Sequence, residues 1–148
     1  MSNYSFYHQN PINKVIHFFC IPMIVLTSMN FLDEVKLYKF KKNIRKYISK
    51  NNLTLRDLIK LFYHFYYISD SLNTYIIMFF YLEFLEIISD KWKVLDKKWM
   101  KNSIKMFIFA WLMQFLGHAI EGRRPALIDS ISSAFLEAPL FSIKYLCN

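Results

Sequence analysis

The chain has 148 residues, a formal net charge of +8, 55% hydrophobic and 19% aromatic side chains. That length suits one domain, expected over residues 1–148, and is too short for two separate cores. So aromatic a composition excludes a disordered chain, and two glycines with four prolines exclude a fold of many tight hairpins. The composition points to an all-α protein, a compact bundle of about four to five membrane-embedded or interfacial helices.

The first helix is expected to begin at Asn10-Pro11, with Asn10 as N-cap and Pro11 at the first helical position, where a missing N–H costs nothing. From Val15 to Leu32 there is no Asp, Glu, Lys or Arg. Such a run is just long enough to cross a hydrocarbon core of about 30 Å. Pro22 removes one backbone bond within it, and a kink is expected there. A basic linker follows to about Asn52, carrying Lys36, Lys39, Lys41, Lys42, Arg45, Lys46 and Lys50. Aromatic residues lie among these lysines, but such basic loops suit anionic lipid headgroups flanking membrane segments better than nucleic acid.

The second stretch, about Thr54 to Ile68, is amphipathic. Leu55, Leu58, Ile59, Phe62, Phe65 and Tyr66 share one face, and Arg56, Asp57, Lys60 and His64 the other. It is expected to lie at the interface or to pack shallowly, its polar side and His64 wetted. The third stretch, about Ser71 to Ser89, is apolar until Glu83, Glu86 and Asp90, an acidic stripe that reads as a solvated helix end, with a cation site as the alternative. A second basic loop carries Lys91, Lys93, Lys97, Lys98, Lys101 and Lys105. The fourth stretch, about Lys101 to Glu121, holds an uncharged run from Met106 to Ile120. The fifth runs from near Pro125 to Leu146, with a bend expected at Pro139. Cys20 and Cys147 lie far apart and form neither a disulfide framework nor a CxxC motif. No basic leader with an apolar run opens the chain, so membrane entry is expected through the internal segments.

Polar groups in apolar helices are costly and tend to carry function. The fourth stretch places Trp111, Gln114, His118 and Glu121 on one stripe. A His and a Glu three apart project from one helical face, a spacing also used by carboxylate-bridged metal bundles. Gly117 and Gly122 flank this pair; the first permits a close helix approach and the second fits a helix C-cap. Asn13 and His17 share a face of the first helix, and His8 precedes its cap. If the second and third stretches form a hairpin, the start of the first helix and the end of the fourth share one membrane face, bringing His8 and His17 near His118. Each has a plainer reading as a hydrogen-bonded core residue. Gln114 reads also as an interhelical bond. Arg123 and Arg124 read equally as membrane-flank charges or as a fork for a substrate carboxylate.

Two blocks also carry a family resemblance. Tyr7-His8-Gln9-Asn10-Pro11-Ile12-Asn13, with His17 and Ile21-Pro22 after it, forms the first. The second is Trp111 followed by Gln114-Phe115-Leu116-Gly117-His118-Ala119-Ile120-Glu121-Gly122-Arg123-Arg124-Pro125-Ala126-Leu127, then Ala138-Pro139-Leu140-Phe141. In order and spacing they resemble the family of the fungal 2-hydroxy fatty acid dioxygenase, small multi-pass membrane proteins, over nearly the whole chain. The resemblance implies an iron(II)-dependent enzyme of the endoplasmic reticulum membrane. It would use O2 to shorten a 2-hydroxy fatty acid by one carbon, as in the α-oxidation of phytosphingosine breakdown. It assigns His8, His17 and His118 to the iron, with Glu121 as fourth ligand or hydrogen-bond partner. Arg123, Arg124, Gln114 and Asn13 are left as candidate substrate contacts. Imidazole and carboxylate donors with open positions suit non-haem iron(II), and a 2-hydroxy acid can chelate through its hydroxyl and carboxylate oxygens. The competing readings are a non-catalytic helical membrane protein and a different metal-dependent lipid-modifying enzyme.

Overall fold

In the computed structural model, residues 10–41, 51–122 and 131–144 are described. Five helices account for most of them: α1 Pro11–Glu34, α2 Leu55–Asp70, α3 Leu72–Leu95, α4 Trp99–Glu121 and α5 Ile131–Lys144. The fold is all-α. Short strands β1 (Lys36–Lys39) and β2 (Asn52–Thr54) pair antiparallel between α1 and α2, with Lys36 opposite Thr54, Lys39 opposite Asn52 and a bulge between Lys36 and Tyr38. This ribbon was not foreseen in the linker. It satisfies backbone groups that a sequence of mixed lysines and aromatics does not mark out by period.

Local signals set the helix ends. The Asn10 side chain accepts from the Ile12 N–H at 2.9 Å and its carbonyl from the Lys14 N–H at 3.0 Å, closing the first turn of α1 as expected. The helix continues through Pro22. At the start of α2, the Asp57 carboxylate accepts from the Thr54 backbone N–H at 2.9 Å and its hydroxyl at 3.0 Å. One residue, Ser71, closes α2 and opens α3, its Oγ accepting from the Thr74 N–H at 3.1 Å. α3 runs to Leu95, beyond the expected Ser89, and stops at Asp96, whose carboxylate accepts from the Trp92 indole at 3.1 Å and the Lys98 N–H at 2.8 Å. Gly122, at φ +68°, ends α4 in the left-handed region that favours glycine.

The chain divides into two compact units, residues 1–27 with 101–148, and residues 28–100. In both, buried polar side chains are conspicuous: Asn13, His17, Gln114 and His118 in the first, Asn30, Arg56, Glu86 and Ser89 in the second. Large apolar residues such as Phe19, Phe65, Phe80, Phe84, Leu112 and Phe115 lie exposed. Apolar outside and polar inside is the arrangement of a chain whose solvent is lipid, where helices are held by polar groups and close packing. α1, α3 and α4 are long and apolar enough to cross a membrane. This is a membrane protein.

Two expectations are corrected in the second unit. The polar face of α2 is covered, with Arg56 buried and Lys60 and His64 largely so, while Leu58, Leu61, Phe62, Phe65 and Ile68 are exposed. The acidic stripe of α3 is solvated only in part: Glu83 and Asp90 keep exposed carboxylates, but Glu86 is buried and all three are ion-paired. Lys60 bonds to Glu83 at 2.7 Å and to Glu86, and Arg56 reaches Glu86 at 3.3 Å and Asp90 at 2.8 Å. The two stripes neutralise one another, which the pattern of either alone does not disclose.

Candidate functional site

α1 and α4 bring together residues a hundred positions apart. Close approach occurs at Gly117, where an added Cβ would run into Asn13 Oδ1 and lie 3.5 Å from Ile16 Cδ1. Only a residue lacking that carbon fits, as expected of Gly117. One position on, His118 meets His17 edge-to-face, with ring centroids 5.0 Å apart and planes at 89°. Both rings are buried, at 1% and 7% exposure. The juxtaposition expected from the hairpin topology is therefore present for this pair. His8 lies outside the described residues, as do Arg123 and Arg124.

The tautomer of His17 follows from its neighbour. Its Nδ1 lies 2.9 Å from the Asn13 carbonyl oxygen, and a carbonyl only accepts, so Nδ1 carries the proton. In the neutral form of the ring Nε2 then keeps its lone pair, the state in which a histidine binds a metal while its other nitrogen is held. Among the described residues, no group of three or more His, Cys, Asp or Glu is close enough to hold a metal ion. The donor set in view is the two imidazoles.

Glu121 is placed at the start of α1. One oxygen accepts from the Asn10 backbone N–H at 3.2 Å and the other from the Asn13 amide. A carboxylate at a helix N-terminus meets orphan N–H groups and the positive end of the helix dipole. Glu121 holds the Asn13 side chain, while the Asn13 backbone carbonyl, within α1 itself, holds the His17 ring. Asn13 is fully buried, with its Oδ1 unpartnered among the described residues, and Gln114 is buried with its Nε2 in the same condition.

One residue escaped the sequence reading. Glu137 on α5 has a buried carboxylate oxygen, Oε2, with no hydrogen-bond partner among the described residues. Its signal was legible, since it is the lone charged residue between Ser130 and Ile143. A lone acid in an apolar segment is a candidate functional group.

Comparison with known proteins decides the family. The pattern described as "2-hydroxy-palmitic acid dioxygenase Mpo1-like" matches residues 1–148. This chain belongs to the Mpo1-like family. It is 32% identical over 139 residues to the 2-hydroxy-palmitic acid dioxygenase MPO1 of Saccharomyces cerevisiae, an alignment covering 93% of this chain and 72% of the yeast protein. No solved structure matches it. The resemblance of the two sequence blocks is thereby borne out at the level of the family, and in this Mpo1-like chain His17 and His118, one from each block, are in contact.

Proposed function

We propose that this protein is an iron(II)-dependent dioxygenase of the endoplasmic reticulum membrane that uses O2 to shorten 2-hydroxy fatty acids by one carbon. Family membership supports the substrate class and reaction type. The observation that carries the reading is the buried His17–His118 contact, formed by two helices distant in sequence. Buried histidines facing one another inside apolar helices are costly without a task.

His17 and His118 would hold the metal, with His8 as the third histidine. Iron(II), when bound, supplies O2 activation and a chelation point for the hydroxyl and carboxylate of the substrate. The protein's own part is to bind, orient and keep water away. The Asn13 backbone carbonyl fixes the His17 ring, and Glu121, bonded to Asn10 and Asn13, acts as a hydrogen-bond partner that ties the end of α4 to the start of α1. Burial of both rings excludes bulk water. Gln114, Asn13, Arg123 and Arg124 are the polar groups available to a substrate headgroup, and the apolar helix surfaces suit its acyl chain.

The test is metal analysis of the purified protein together with turnover of a labelled 2-hydroxy acid to its odd-chain product. Stoichiometric iron with that product supports the assignment. A metal-free protein with unaltered lipid would identify a non-catalytic helical membrane protein instead, and a metal with a different lipid product another lipid-modifying enzyme.

A further inference from the structure

The ends of three helices meet in the second unit. Arg56, in the first turn of α2, bonds to Asp33 near the end of α1 at 3.1 Å and to Asp90 late in α3 at 2.8 Å. Lys93 of α3 returns to Asp33 at 2.7 Å and to Glu34 at 3.1 Å, and the Leu55 N–H donates to the Val35 carbonyl at 2.9 Å. Asn30 accepts from the Ser89 hydroxyl beside them. The start of α2 and the end of α3 therefore lie level with the end of α1.

Between those two points the chain makes one turn of a single residue, Ser71. α3 is long and apolar enough to cross a membrane. If it crosses, Ser71 lies on the far side from Arg56, and α2 is the segment available to bring the chain there. We propose that α2 is a further membrane-crossing helix, with Leu58, Leu61, Phe62, Phe65 and Ile68 facing lipid acyl chains and Arg56, Lys60 and His64 sealed against α3.

Its face polarity argues against the alternative. A helix lying flat on a membrane keeps its polar face in water. Here that face is covered by α3, through Glu83, Glu86 and Asp90, while the opposite face is bare. α3 carries exposed apolar residues of its own, Ile76, Ile77, Phe80, Phe84 and Ile87. Acyl chains match both. At 16 residues α2 is about 24 Å long, shorter than a core of about 30 Å, a mismatch that local thinning and snorkelling of terminal side chains absorb.

An independent contact in the first unit agrees. Glu121, at the end of α4, bonds to Asn10 and Asn13 at the start of α1. Both ends therefore lie at one membrane face, which requires an even number of crossings between them. α1, α3 and α4 alone are an odd number, and α2 restores the balance.

The experiment is cysteine accessibility in sealed microsomes with the full chain, after Cys20→Ala and Cys147→Ala. Single cysteines at Lys39, Asp70 and Lys97 are labelled with a membrane-impermeant maleimide before and after permeabilisation. The expected result is that Lys39→Cys and Lys97→Cys behave alike and Asp70→Cys oppositely, losing its labelling in sealed vesicles if theirs is retained, or the reverse. Asp70→Cys labelled from the same side as Lys39→Cys overturns the proposal. As a check that does not use the turn, a nitroxide at Phe65→Cys should relax with oxygen and not with a water-soluble nickel chelate. Relaxation by the chelate alone also overturns it.

Discussion

Replacing Gly117 by alanine sets two opposing effects against each other. Alanine favours a helix over glycine by about 1 kcal/mol, so propensity alone predicts a more stable α4. Against this, the added carbon would run into Asn13 Oδ1. Asn13 is fully buried and its amide nitrogen is held by Glu121. The oxygen can move aside by breaking a hydrogen bond to a charged group, about 1.5–3 kcal/mol, or the helices can part, at about 1–3 kcal/mol for overpacking. The loss wins, and Gly117→Ala is expected to be net destabilised by about 1 kcal/mol, lowering Tm by a few degrees in detergent. Displacement at this level also separates His17 from His118, so bound iron should fall in parallel. In the Asn13→Ala background the obstruction is gone, and Gly117→Ala should then be neutral or stabilising, a coupling that a double-mutant cycle reads directly. A higher Tm for Gly117→Ala alone, or an equal loss in both backgrounds, would refute the reasoning.

His17→Ala and His118→Ala should each abolish iron retention and turnover together, measured by elemental analysis and product assay; full iron content in His118→Ala would reject its place at the metal. Glu121→Ala removes a charge-assisted anchor and should lower stability by about 1.5–3 kcal/mol, while more iron is retained than in either histidine variant. Iron loss as complete as theirs, with Tm unchanged, would make Glu121 a direct ligand. Arg56→Ala leaves Glu86 buried with one of its cations gone and should cost about 3–5 kcal/mol in detergent unfolding; adding Glu86→Gln should recover part of it, and no recovery would contradict the pairing. Asp57→Ala removes the carboxylate that accepts from the N-cap Thr54 and should cost about 1 kcal/mol, seen as faster amide exchange in the first turn of α2.

Much of the fold is legible in the residues themselves. Helices announce themselves by long uncharged runs and by caps such as Asn10-Pro11 and Gly122, because backbone satisfaction in lipid leaves a helix few alternatives. The family blocks around His17 and His118 could be read in order, and Gly117 marked the close approach between the helices that carry them. The ribbon between Lys36 and Thr54 was not legible, since its pairing depends on which segments α1 and α2 bring side by side. Nor was the carboxylate of Glu121 legible as an anchor for α1: its three-residue spacing from His118 fits a ligand and a helix-end partner equally, and its bonds to Asn10 and Asn13 exist only once α1 and α4 are packed together.

The decisive case is α2. The positions of Arg56, Lys60 and His64 fixed which residues share a face, but periodicity gives the axis of an amphipathic helix without saying which side is inward. In water the charged face turns outward. In a membrane protein it turns inward where a neighbour supplies opposite charges at matching heights. That neighbour is the stripe of Glu83, Glu86 and Asp90, and its alignment with α2 exists only once the Ser71 turn has folded one helix against the other.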